Sequence, residues 1–125
     1  MAIGSTCGTA REAADKAREQ GVKAGVVKLR VFRPFPAGRV RDALSKVKVV
    51  GILDRAISFG LEGGPLFHEI RSHMYGQDTP ILPFVYGLGG RDISDDHIVE
   101  VFNTLDKAVK EGSKERDVEF IGLRE

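Results

Sequence analysis

The chain has 125 residues, 42% hydrophobic and 30% charged, with a formal net charge of +1, which is the make-up of one globular domain with a single core. That balance gives no general attraction to nucleic acid or to an anionic membrane, no apolar run approaches the roughly 20 residues of a spanning helix, and residues 1–4 do not read as a signal peptide. Cys7 is the single cysteine, so the chain forms no internal disulfide and cannot hold an iron–sulfur cluster, which takes about four thiolates; the expected location is cytoplasmic.

Residues 3–5 read as the end of a strand. The capping-box spacing of Thr9-Ala10-Arg11-Glu12 predicts a helix after Thr9, running to about Gln20 and stopped by Gly21. Its inner face is Ala10, Ala13, Ala14 and Ala17, which lets it lie close to a sheet. Residues 23–31 predict the next strand. Pro36 then opens a short helix that turns Val40, Ala43 and Leu44 inward. Residues 47–53 are almost unbroken apolar, the pattern of a strand covered on both faces. A glycine-containing loop, 56–64, leads to Pro65 and a helix with Leu66, Phe67, Ile70 and Met74 on one side. Residues 80–86 predict another strand, with Pro83 favouring an edge position or a bulge. Ser94 caps a long helix, with Asp95 and Asp96 in its first turn and Ile98, Phe102, Leu105 and Val109 as its apolar stripe. A core over residues 1–111 is followed by a charged tail, 112–125, in which Val118, Phe120 and Ile121 add a short strand or pack down.

Four alternations of strand and helix predict a three-layer α/β/α sandwich with a mainly parallel sheet, in strand order 2-1-3-4. In that order the direction reverses between the strand ending at Gly4-Ser5 and the one ending at Asp54-Arg55, and a crevice opens there. Three apolar runs end in an arginine among turn residues: Val31-Phe32-Arg33-Pro34-Phe35-Pro36, Ile52-Leu53-Asp54-Arg55 and Val85-Tyr86-Gly87-Leu88-Gly89-Gly90-Arg91-Asp92. Parallel strands bring these arginines to one edge of the sheet, where they either recognise an anion or pair with a nearby acid or a partner domain. The candidates for that interdomain or anion-binding surface are Ser5, Thr6, Arg33, Asp54, Arg55, Gly89, Gly90, Arg91 and Asp92.

Other motifs carry less chemistry. Gly4-Ser5-Thr6-Cys7-Gly8-Thr9 sits between a strand and a helix, as a phosphate loop does, but lacks both the dinucleotide fingerprint and the Gly-Lys-Ser/Thr of a Walker loop. Cys7 reads as a small residue in a tight turn rather than a nucleophile. His68 and His73 are five residues apart, on different faces of a helix, so they do not make the zinc pair that needs a spacing of four. The nucleophile pattern G-x-S-x-G is absent. No catalytic residue and no metal site emerge.

Taken in order, Gly4-Ser5 with Gly8-Thr9, Arg33-Pro34-Phe35-Pro36, Asp54-Arg55 with Gly60 and Gly63-Gly64, and Gly87-Leu88-Gly89-Gly90-Arg91-Asp92 resemble the second core domain of 2-oxoacid:ferredoxin oxidoreductases. The likeness is strongest to the C-terminal part of the alpha subunit of pyruvate:ferredoxin oxidoreductase, and it covers residues 4 to about 111. It implies a fold like the C-terminal domain of transketolase, with an additional antiparallel strand that would precede residue 1. It further implies an enzyme that decarboxylates pyruvate on thiamine diphosphate, passes electrons through iron–sulfur clusters to ferredoxin and transfers the acetyl group to coenzyme A. None of these cofactors is expected on this chain alone. The resemblance makes the chain a fragment of an alpha subunit, inactive by itself, whose partners are the other domains and subunits and, through them, ferredoxin. The alternative is a free-standing anion- or nucleotide-binding α/β module that uses the crevice between Ser5 and Arg55.

Overall fold

A computed structural model describes residues 1–112 and 117–123; the charged tail positions 113–116 and 124–125 lie outside the described residues. Strand β1 (Ala2–Ile3) pairs in parallel with β2 (Lys28–Leu29), while β3 (Val50–Asp54), β4 (Ile81–Val85) and β5 (Glu119–Phe120) form a second parallel ladder in that order. Met1 joins the two ladders: its nitrogen donates to the Gly51 carbonyl at 2.5 Å and its carbonyl accepts from the Leu53 amide at 3.0 Å, the bracketing found between parallel strands. The expected order 2-1-3-4 is thus not formed as one ladder: β1-β2 and β3-β4-β5 are separate, linked through Met1. β5 extends the sheet beyond β4 and contains Phe120.

Helices cover both faces. On one lie α1 (Thr6–Glu19) and α4 (Asp95–Glu111), and on the other α2 (Ala37–Leu44) and α3 (Pro65–His73). The side-chain alternation of β3 divides the core between them: Val50 and Ile52 pack with Val40, Leu44, Leu66 and Ile70, whereas Leu53 packs with the α1 and α4 side. Gly51 also faces α4, and a Cβ there would lie 2.9 Å from Leu105 Cδ1. Phe84, Ile52, Leu66 and Ile70 are among the largest fully buried side chains.

Four local expectations are corrected. α1 begins at Thr6, not after Thr9, because Thr6 and Cys7 turn into the core and the first amides bond back to the Gly4 and Ser5 carbonyls. Cys7 is therefore a core residue of a helix, 1% exposed, rather than a turn residue. The strand expected over 23–31 is laddered only at Lys28–Leu29, since β1 offers it just Ala2 and Ile3 to pair with. Pro83 does not mark an edge, for β4 has neighbours on both sides. Backbone bonds at Pro80 and Tyr86 show the even-numbered residues of β4 facing β3. Pro83 faces the other way, and on that side the pairing with β5 starts one residue later, at Phe84.

The two later helices follow the sequence more closely. Leu66, Phe67, Ile70 and Met74 are all buried. Ser94 caps α4 in a reciprocal box: its hydroxyl accepts from the His97 amide and its own amide donates to His97 Nδ1, each at 3.2 Å. The stripe of α4 is rotated from the expected one. Ile98, Val101 and Ala108 are buried while Phe102, Leu105 and Val109 are half-buried, because α4 packs against the small alanine face of α1 as well as on the sheet.

Candidate functional site at the strand-end edge

Asp54 closes β3 and organises its surroundings. The residue is 7% exposed; Oδ1 accepts from the Leu66 amide at 3.0 Å and Oδ2 from the Phe67 amide at 2.9 Å. A carboxylate from the strand thus caps α3, whose own N-cap residue, Gly64, has no side chain to do so. Burial raises the Asp54 carboxyl above the usual range, and the two amides and His68 oppose that rise. Gly64 is required for this contact: a Cβ there would lie 2.3 Å from Asp54 Cβ and 2.4 Å from the Ala56 carbonyl.

Thr6 and Tyr86 meet across the end of β3. Their hydroxyls are 2.5 Å apart and both residues are buried, so a polar bridge joins the start of α1 to the end of β4 across the expected crevice. Burial pushes the Tyr86 phenol up, against the pull of the Thr6 hydrogen bond and the Arg55 charge. Arg55 lies over this bridge, its guanidinium carbon 5.8 Å from the Tyr86 ring centroid. A Cβ on Gly87 would come within 3.2 Å of Arg55 Nε, which places the glycine loop beside Arg55.

The three arginines have different surroundings. Arg33 donates to Glu69 Oε2 at 3.0 Å and lies 4.2 Å over the Phe32 ring. The other oxygen of Glu69 meets His73 Nε2 at 3.1 Å, and His73 stacks on Phe35 at 4.5 Å. Desolvation pushes Glu69 up, but the bonds from Arg33 and His73 together hold it below the usual carboxylate range. Arg91 donates to the Gly122 carbonyl at 3.0 Å and ties its loop to the residues after β5. Among the described residues neither Asp54 nor Asp92 pairs with an arginine, and Arg55 forms no ion pair. Ser5, Gly89, Gly90 and Asp92 are exposed. Nothing would lie within 4 Å of a Cβ on Gly89 or Gly90, so their backbone is open to close approach. Sequence reasoning did not single out Tyr86; its signal was a lone hydroxyl-bearing ring closing an otherwise apolar strand.

Residues 1–98 match the sequence pattern of pyruvate:ferredoxin oxidoreductase core domain II. The chain belongs to that family. This core domain II chain is 40% identical over 127 residues to pyruvate synthase subunit PorA of Thermotoga maritima, covering 100% of the chain and 31% of the relative. To PorA of Pyrococcus furiosus it is 37% identical over 125 residues, covering 99% and 32%. To the alpha subunit of NADH-dependent phenylglyoxylate dehydrogenase of Aromatoleum evansii it is 38% identical over 105 residues, covering 82% and 25%. The core domain II chain therefore spans about a third of the length of the curated relatives it matches. Among its described residues no helix is long and apolar enough to cross a membrane, and no group of three or more His, Cys, Asp and Glu is placed to hold a metal ion.

Proposed function

We propose that this chain is a non-catalytic, interdomain part of a thiamine diphosphate-dependent 2-oxoacid:ferredoxin oxidoreductase, an enzyme that decarboxylates pyruvate oxidatively to acetyl-CoA and reduces ferredoxin. The observation that carries this reading is the match of the whole chain to about a third of a pyruvate synthase subunit. Thiamine diphosphate supplies the electron sink for decarboxylation, iron–sulfur clusters the path to ferredoxin, and coenzyme A the acetyl acceptor. The residues here do not fit an iron–sulfur cluster, which needs about four thiolates while the one cysteine is buried in α1. On this reading the clusters are assigned to the rest of the enzyme, and thiamine diphosphate and coenzyme A with them.

What the chain's own residues supply is a firm edge. Arg33 and Arg91 are spent on Glu69 and the Gly122 carbonyl, which fixes the two outer loops. Arg55 is left to take a carboxylate of a neighbouring domain in the two-pronged geometry that a guanidinium allows. The choice of oxoacid is assigned to other parts of the enzyme, since relatives named for pyruvate and for phenylglyoxylate are equally similar to this chain.

With pyruvate, thiamine diphosphate, coenzyme A and a dye acceptor, the isolated chain is expected to give no dye reduction; turnover by the chain alone would overturn the reading. The complementary measurement adds the chain to the Thermotoga maritima subunit from which the matched third has been removed. Complex formation is expected, and Arg55→Glu weakens it by about tenfold, the lower end of the cost of a lost interfacial charge pair.

A further inference from the structure

The loop over 56–64 presents three large apolar side chains to solvent. Ile57, Phe59 and Leu61 are 45%, 105% and 58% exposed, so Phe59 makes almost no contact with the domain that carries it. The loop is nevertheless held in shape. The Ser58 amide donates to the Gly63 carbonyl at 2.8 Å and the Leu61 amide to the Ser58 carbonyl at 3.2 Å. Gly60 turns at φ +70°, Gly63 at φ +82°, and the base is clamped where Gly63 meets Phe67 and Gly64 meets Asp54. An ordered loop that points three apolar side chains outward has little entropy left to lose on binding, the property of a prearranged anchor. It rises from the end of β3, beside Arg55.

Building on the interdomain reading, we propose that this loop is an apolar finger that seats Phe59 in a nonpolar pocket of the part of the subunit this chain does not span. Size decides for that occupant over a second copy. Three such side chains cover roughly 400–500 Å² at most, well short of the approximately 800 Å² per partner of a free-standing interface. Within one polypeptide the pocket is present at an effective concentration near the millimolar range, and the finger adds to the rest of the interdomain edge rather than holding the two parts together by itself. The relatives have the necessary chain, being about three times as long as the part matched here. Arg55 has no ion pair among the described residues, and the proposal gives it an acid at the rim of that pocket.

The test uses the full 125-residue chain and the Thermotoga maritima subunit lacking its matched third, with affinity read by titration calorimetry. Phe59→Ser is expected to weaken binding about 30-fold, the effect of losing one hot-spot side chain. The melting temperature of the isolated chain should not change, because Phe59 packs on nothing within it. A photo-crosslinking phenylalanine analogue at position 59 should label apolar residues of the added subunit. Equal affinity of Phe59→Ser and wild type overturns the finger while leaving the interdomain role in place. No complex with the wild-type chain overturns both. Crosslinks confined to a second copy of the chain, with a dimer in sedimentation that Phe59→Ser abolishes, overturn the choice of occupant.

Discussion

Asp54 is held by amides rather than by a cation, and its consequences are local and large. Both oxygens are used by the first turn of α3, so Asp54→Ala leaves two buried donors without acceptors. At about 1–3 kcal/mol for each orphaned donor, the expected loss is roughly 2–6 kcal/mol, measured by urea denaturation of the two chains. Asp54→Asn should fall between them, since it keeps one acceptor and turns an amine toward the second amide. The residue pattern Asp54-Arg55 looked like a pair of edge charges in the sequence. The structure separates them: the acid faces inward and the base outward. Nothing in the sequence around Asp54 reveals this, because the groups it bonds lie 12 and 13 residues away. The signal is Gly64-Pro65, a helix start without a side chain to cap it.

At the scale of elements, α1 and α4 depend on small residues. Ala13 and Ala17 are fully buried and Ala10 and Ala14 nearly so, with Ile98, Val101 and Phe102 packed over them. Ala13→Leu should therefore cost about 1–3 kcal/mol by overpacking, whereas Gly8→Ala, in the same helix with open space around its Cβ position, should stabilise by roughly 0.5–1 kcal/mol. Thermal melts of both variants give the two signs directly. This contrast also shows why some elements were legible and others were not. The alanine face, the Ser94 cap and the apolar side of α3 are local patterns with one physical solution. The start of α1 and the length of β2 are settled by tertiary partners, Thr6 by Tyr86 and β2 by the two-residue β1. A chain-order reading sees neither. The fold class was readable because alternation of strand and helix survives such errors of boundary. The finger was not, because Ile57, Phe59 and Leu61 alternate like a short strand and only their exposure sets them apart.

For the whole molecule, the charged groups act in opposite directions as pH falls. Glu69 and Asp95 are held below their ordinary range, Glu69 by Arg33 and His73 against the push of desolvation, Asp95 first by its bond from Lys16. Their contribution is present above the unfolded values, about 4 for a carboxyl, and is lost as pH drops through the folded ones. Asp54 is shifted upward. The folded chain takes up that proton before the unfolded chain does, so stability rises as pH falls through the raised value and levels off below the unfolded one. Taken by themselves these carboxyls hold or raise stability on mild acidification and lower it only below about pH 4. The buried Met1 amine, lowered to about 6, instead takes stability away as pH falls from about 8 to about 6. Glu69→Gln should flatten the acid limb and Asp54→Asn should remove the gain, both followed by melting temperature against pH. The capped corner of the molecule also sets an order of loss. One carboxylate ends a strand, begins a helix and braces the base of the exposed loop, so in Asp54→Ala that corner loosens first. Chymotrypsin should then cut after Phe59 while the amides of Ile52 and Phe84 in the adjoining strands still resist exchange. On the interdomain reading proposed above, a damaged chain of this kind would keep its sheet and lose its grip on its neighbours, failing in assembly before it fails in folding.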